Sequence, residues 1–331
     1  FYLCSSLSSI TITSNVTVIG AAAFAGCSGL IDVNIPNSNA VLGGALFADC
    51  ISLTNVTLPS NISILEYATF SNCSSLTSIL IPESVNIIGV SAFQNCSGIT
   101  SITIPDSVSL ITNSAFQDCT GLTDITFGNS VSSIGDSAFR NCSGITSITI
   151  PDSVLSISDS AFQDCTSLIN VTISNSVSVI NNDTFRNCSS LTDFIIPNSV
   201  NEIGAGAFKL CTKLSNIYIP NSVSIIGKEV FQGCSSLTSL EIPETISVIN
   251  DGTFAGCSNL TNFEIPENVT SIGSYAFEDC ESLVDITIPE AVTSIFDSTF
   301  AGCSGFINFI FPNNITTIGN HAFAKCTGLS N

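Results

Sequence analysis

Cysteine returns every 23 residues along this chain, from Cys4, Cys27 and Cys50 to Cys326, without one insertion or deletion. Phe stands three residues before each of the fifteen cysteines, from Phe1 to Phe323. All eleven prolines, among them Pro36, Pro105, Pro151 and Pro312, share a second slot, which Gly128 and Ser174 take in two copies. Counted from the Phe, the unit reads F-x-x-C-[ST]-x-L-T-x-I-x-I-P-x-S-V-x-x-I-G-x-x-A. One such unit cannot bury its own apolar side, so a strict period of this length predicts a solenoid whose coils cover one another. Residues 1–331 are therefore expected to form a single continuous solenoid domain of about fourteen coils without linkers. The chain opens at Phe1-Tyr2-Leu3-Cys4 in mid-pattern, the expectation being a segment of a longer protein.

Within the unit, L-T-x-I-x-I alternates with period two. Ile102 and Ile104 should point inward and Ser101 and Thr103 outward on a short strand, and stacked coils should align these strands into a parallel sheet. Proline donates no ladder hydrogen bond and suits the strand exit. Val108 and Ile111 return inward after it. Gly89, Gly135, Gly204, Gly227, Gly273 and Gly319 then read as turn residues with positive φ. Where that slot holds Glu66, Thr112, Ser158 or Phe296, the turn must be adapted. The A-F-x-x-C piece is too short for a lasting helix and reads as one helical or 3₁₀ turn. Phe306, Phe309 and Phe311 fall in inward slots and thicken the core near the far end.

The unit resembles the BspA-like leucine-rich repeat of 23 residues, carried by I-P-x-S-V-x-x-I-G-x-x-A-F-x-x-C-x-x-L over the whole chain. The resemblance implies a right-handed leucine-rich-repeat solenoid, its parallel sheet on one concave face and short turns, 3₁₀ pieces or short strands on the other. It also implies exposure at the cell surface, outside the cell, in a family associated with adhesion to host proteins and cells.

Three uses compete for the cysteine ladder: buried structural thiols, disulfides and metal ligands. Slot neighbours about 4.8 Å apart with parallel Cα–Cβ vectors stay a little beyond disulfide reach, and an odd total leaves one over. No C-x-x-C occurs, and His321, the sole histidine, lies in a variable exposed slot. Phe93, Cys96, Phe116, Cys119, Phe139, Cys142, Phe162 and Cys165 are read as an inner structural wall, with metal and cofactor sites both expected to be none.

With one histidine and no nucleophile motif, a catalytic triad cannot be assembled, so no enzyme is expected. The formal charge of −20 comes from 26 acids against six bases that fall one at a time, which opposes nucleic acid and anionic lipid. No apolar run approaches the roughly 18 residues of a membrane span, so no direct membrane insertion is expected.

Function is left to the outward strand positions. One column runs through Asp124, Ser147, Asn170, Asp193, Asn216 and Ser239, and the next through Thr126, Thr149, Thr172, Ile195, Tyr218, Glu241 and Glu264. Asp124, Thr126, Thr149, Thr172, Asp193, Ile195, Tyr218, Glu241 and Glu264 form the candidate protein-binding face, although threonine is also a good strand former. The reading is a non-enzymatic surface module that binds a host or matrix protein. The alternative is a structural spacer, stalk or filament that self-associates through its coil ends.

Overall fold

Apolar–polar alternation over three residues makes one strand per coil in most copies, and the V-x-x-I stretch after the proline makes a second of two residues. The computed structural model describes residues 1–36 and 39–330, which build about thirteen turns of a parallel β-solenoid with no helix among them. They divide into two compact units, Phe1–Leu168 and Ile169–Asn331.

In the first unit Ser9–Thr11, Asp32–Asn34 and Asn55–Thr57 pair in parallel, and Ser101–Thr103 pairs with Asp124–Thr126. The second ladder of this unit is a five-stranded sheet of two-residue strands from Ile64–Leu65 to Ser156–Ile157. In the second unit Asp193–Ile195 pairs with Asn216–Tyr218 and Ser239–Leu240 with Asn262–Phe263. Its other ladder holds Val179–Ile180, Glu202–Ile203 and Ile225–Ile226. Every pairing joins residues 23 apart, so each slot of the repeat becomes a column. Ile102, Ile104, Val108 and Ile111 are all buried.

The phenylalanines form the wall of both cores. In the first unit ring centroids stack from Phe1 to Phe162 at 5.0 Å for Phe93–Phe116 and up to 5.6 Å for Phe47–Phe70. In the second, Phe208 and Phe231 stack at 5.9 Å, and Phe194 adds an edge contact with Phe208 at 4.8 Å. Phe306 is buried, but Phe311 is 43% exposed, which corrects its inward assignment. It packs edge-on against Phe309 at 4.9 Å and Phe323 at 5.5 Å, and the described residues leave its outer side uncovered.

The A-F-x-x-C piece is not a helical or 3₁₀ turn but part of a run of three successive tight turns. Ala92, Gln94 and Cys96 N–H groups donate back to the carbonyls of Gly89, Ser91 and Phe93, each at 3.1 Å. Between them the Ser91, Phe93 and Asn95 N–H groups donate to Asn113, Ala115 and Gln117 of the next coil at 3.0, 2.7 and 2.8 Å. Ser91 and Asn95 have φ of 55° and 60°, the left-handed third position that a type II turn requires. A helix would aim all these N–H groups along itself; the alternation gives every second one to the neighbouring coil, which stitches the stack. Asn and Asp recur at the second of these slots, as in Asp49, Asn72, Asn95, Asp118 and Asn141, because they tolerate this conformation best among non-glycines.

The glycine slot also needs correction. Gly89 and its counterparts do not have positive φ; a Cβ on Gly89 would instead lie 2.4 Å from the carbonyl oxygen of Leu65, and one on Gly227 2.6 Å from the Ala205 nitrogen. Glycine serves close approach of successive backbones. Where Glu66, Asn181, Asn250 or Phe296 replaces it, the residue three later changes to Thr. Thr69, Thr184, Thr253 and Thr299 each donate a hydroxyl hydrogen bond to the carbonyl of that replacement, at 2.7, 2.7, 2.8 and 2.9 Å. Thr112 adapts its own turn by donating to the Ile88 carbonyl at 2.8 Å.

Candidate protein-binding face

Cysteine is the residue type most open to chemistry, and its surroundings decide whether it has any. Phe93, Cys96, Phe116, Cys119, Phe139, Cys142, Phe162 and Cys165 are all fully buried. Each thiol donates to the carbonyl of the Phe one coil back, as in Cys96 to Phe70 at 3.0 Å and Cys142 to Phe116 at 3.1 Å. Burial pushes the Cys96 and Cys142 thiols well above their ordinary pKa and Cys165 up to about 12. In the second unit it lifts Cys211 and Cys257 to about 12. A thiol held protonated and covered is neither a nucleophile nor a ligand at neutral pH. Among the described residues no group of three His, Cys, Asp or Glu side chains is arranged to hold a metal ion.

The outward strand columns have the opposite environment. In the first unit Asp124, Thr126 and Thr149 are exposed, and Thr126 lies in register with Thr103. Thr123 donates to the Asp124 carboxylate at 2.7 Å. In the second unit Thr172, Asp193, Ile195, Tyr218, Glu241 and Glu264 are all exposed. Ile195 pairs in register with Tyr218, and the two are 76% and 57% exposed above the buried Phe194 and half-buried Ile217. Asn216 Nδ2 donates to Asp193 Oδ1 at 2.7 Å, and this bond, helped by Thr192, holds the Asp193 carboxyl below its usual range.

A shallow groove of about 400 Å³ lies among Asp193, Ile195, Tyr218 and Glu241. It shares Ser239, Leu240 and Glu241 with a second of about 340 Å³ that reaches Glu264 and Asp285. Asp285 stands in the outward column and completes this lining, although the sequence alone singles out only its neighbours. Neither outward column holds Lys or Arg. The unit's Arg186, Lys209 and Lys228 pair instead with Asp183, Glu229 and Asp251. His321, exposed with φ of 58°, occupies a left-handed turn slot. No helix among the described residues is long and apolar enough to cross a membrane.

Known proteins give this geometry a context. The BspA type leucine rich repeat region in six copies matches residues 1–123, 111–238 and 224–331. A leucine-rich repeat protein of Bacteroides ovatus ATCC 8483 is similar at 33% identity and a TM-score of 0.88, over 97% of this chain and 85% of that one. A leucine rich cell surface protein of Faecalibacterium prausnitzii A2-165 is similar at 30% identity and a TM-score of 0.63, over 96% of this chain and 91% of that one. The pneumococcal vaccine antigen PcpA shares the fold at 22% identity, with a TM-score of 0.55 over 97% of this chain and 77% of its own. No curated protein matches the chain.

Proposed function

The chain belongs to the BspA type leucine-rich repeat family, and on that premise we propose that it is a non-enzymatic recognition module that adheres to a host or matrix protein. The observation that carries this reading is the exposed strand face, where a core pattern repeated from coil to coil supports a column that changes from Thr to Ile195, Tyr218, Glu241 and Glu264. A packed wall holds such side chains in place at little entropic cost, which is how repeat proteins build extended binding surfaces. Exposure at the cell surface, outside the cell, accords with the description of the Faecalibacterium relative as a cell surface protein.

A screen of immobilised host and matrix proteins, run beside solution mass against concentration, tests the reading. The expected result is a monomer whose binding is lost on substituting Ile195→Ser with Tyr218→Ser, while the fold is kept. Binding unchanged by that pair would remove the strand face as the site. Mass that climbs with concentration, with no partner captured, would favour a spacer or filament of stacked coils.

A further inference from the structure

The second unit's strand face combines two unfavourable arrangements that one kind of partner relieves. The first is apolar: Ile195 and Tyr218 sit side by side in water, over a groove of about 400 Å³. Exposed aromatic and aliphatic pairs on a firm sheet are contact surfaces in waiting, and tyrosine offers both a flat ring and a polar tip. The second is electrostatic. Ser239 pairs with Asn262 and Leu240 with Phe263, so the next residues, Glu241 and Glu264, follow each other one coil apart, at about the 4.8 Å strand spacing. Like charges set directly opposite across a sheet are destabilising, and no base in either column offsets them. Asp193 borders the groove at one end and Asp285 at the other, which makes every charge along it negative.

We propose that this groove receives an extended basic segment of a partner protein, with a guanidinium or ammonium over the Tyr218 ring and another between Glu241 and Glu264. The proposal rests on the protein-binding reading above and names the chemistry of its partner. A cation over tyrosine gains from the ring quadrupole. A bare metal ion is disfavoured because no three carboxylates converge among the described residues, whereas cationic side chains spaced along a chain match acids spread over successive coils. The groove is shallow and runs from coil to coil, which suits an extended segment. A net charge of −20 draws such a segment in over a distance of about a Debye length.

Fluorescence anisotropy of the intact chain with a labelled peptide of about twelve alternating Arg and Ser residues tests this, beside the same peptide with citrulline for arginine. The Arg peptide should bind, and raising salt should weaken it. Glu241→Gln with Glu264→Gln should lower its affinity by about tenfold or more, Tyr218→Leu by several-fold, and Glu83→Gln in the first unit should leave it unchanged. Equal binding of the citrulline peptide, or a double variant within about twofold of the parent, overturns the proposal. A protein partner that depends on Ile195 and Tyr218 yet ignores Glu241 and Glu264 also overturns the basic occupant, and leaves protein recognition itself standing.

Discussion

The two units are each built on the same Phe/Cys slots and differ on the strand face. In the first, the first inward strand position holds aliphatic residues such as Val33, Val56, Ile102, Ile125 and Ile148, Phe127 alone brings a ring into the second, edge-on to Phe139, and the outward column is mostly Thr. In the second, Phe194, Phe263 and Phe309 enter the inward positions, and the outward column becomes Ile195, Tyr218, Glu241 and Glu264. The difference teaches that the Phe/Cys slots are fixed by packing between coils, whereas strand positions accept new side chains at little cost to the stack. An added ring under the strand is accommodated locally: Phe208, touched edge-on by Phe194, stacks at 5.8 and 5.9 Å with its neighbours, whereas Phe254 and Phe277, both touched by Phe263, stack at 5.3 Å.

The widest test of these shared slots is alkaline pH. Burial raises Cys50 and Cys165 in the first unit and Cys211 and Cys257 in the second from 9.0 to about 12. Between those values the unfolded chain releases thiol protons that the native state retains. The thiols therefore contribute stability that is fully present below pH 9 and is lost as pH rises toward 12. Each withdraws about 1.4 kcal/mol per pH unit, so these four alone remove about 5 kcal/mol by pH 10, comparable with the whole stability of an ordinary domain. Circular dichroism in reductant should show cooperative unfolding near pH 10, and hydrogen exchange should show both units opening together. A native spectrum at pH 11, or one unit opening at a much lower pH than the other, would break the claim that both units rest on the same buried thiol slot. At neutral pH a thiol reagent should modify exposed Cys4 and half-exposed Cys326 and spare the buried cysteines between them.

Phenylalanine truncation sharpens the difference. Phe116→Ala should cost about 3–5 kcal/mol by urea denaturation. Phe208→Ala should cost more by about 0.5–1.5 kcal/mol, because it also loses the edge contact with Phe194. A smaller loss at Phe208 would mean that the wider stacking outweighs the added ring.

Thr253→Ala removes a buried hydroxyl bonded to the Asn250 carbonyl and should cost about 1 kcal/mol. Combined with Asn250→Gly, the loss should shrink, since a glycine turn does not need the hydroxyl; additive losses in the double-mutant cycle would show that the two positions act independently. Smallest of all, Glu264→Gln should change stability by within about 0.5 kcal/mol, in the stabilising direction at low salt. A marked destabilisation would assign Glu264 a structural part in the second unit.

Much of this was legible before any coordinates. The period located the coils, alternation located Ile102, Ile104, Ser101 and Thr103, and the columns already singled out Ile195 and Tyr218 as exceptions. The turn chemistry was less legible. The Asn and Asp at slots such as Asn72, Asn95 and Asp118 were a usable signal for left-handed turns, and the joint change of Gly to Asn with Ala to Thr was a second. Each makes sense only once the neighbouring coil's backbone is placed beside it.

A strict period and a fixed apolar pattern determined by themselves that this chain stacks coils with Phe and Cys inside, because burial is a property of slots that repeat. Only the tertiary structure decided what Gly89 is for, how far the thiols are removed from water, and that Glu241, Glu264 and Asp285 border one groove. Those depend on distances between residues 23 or more apart, and a one-dimensional pattern carries order along the chain but no distance across it.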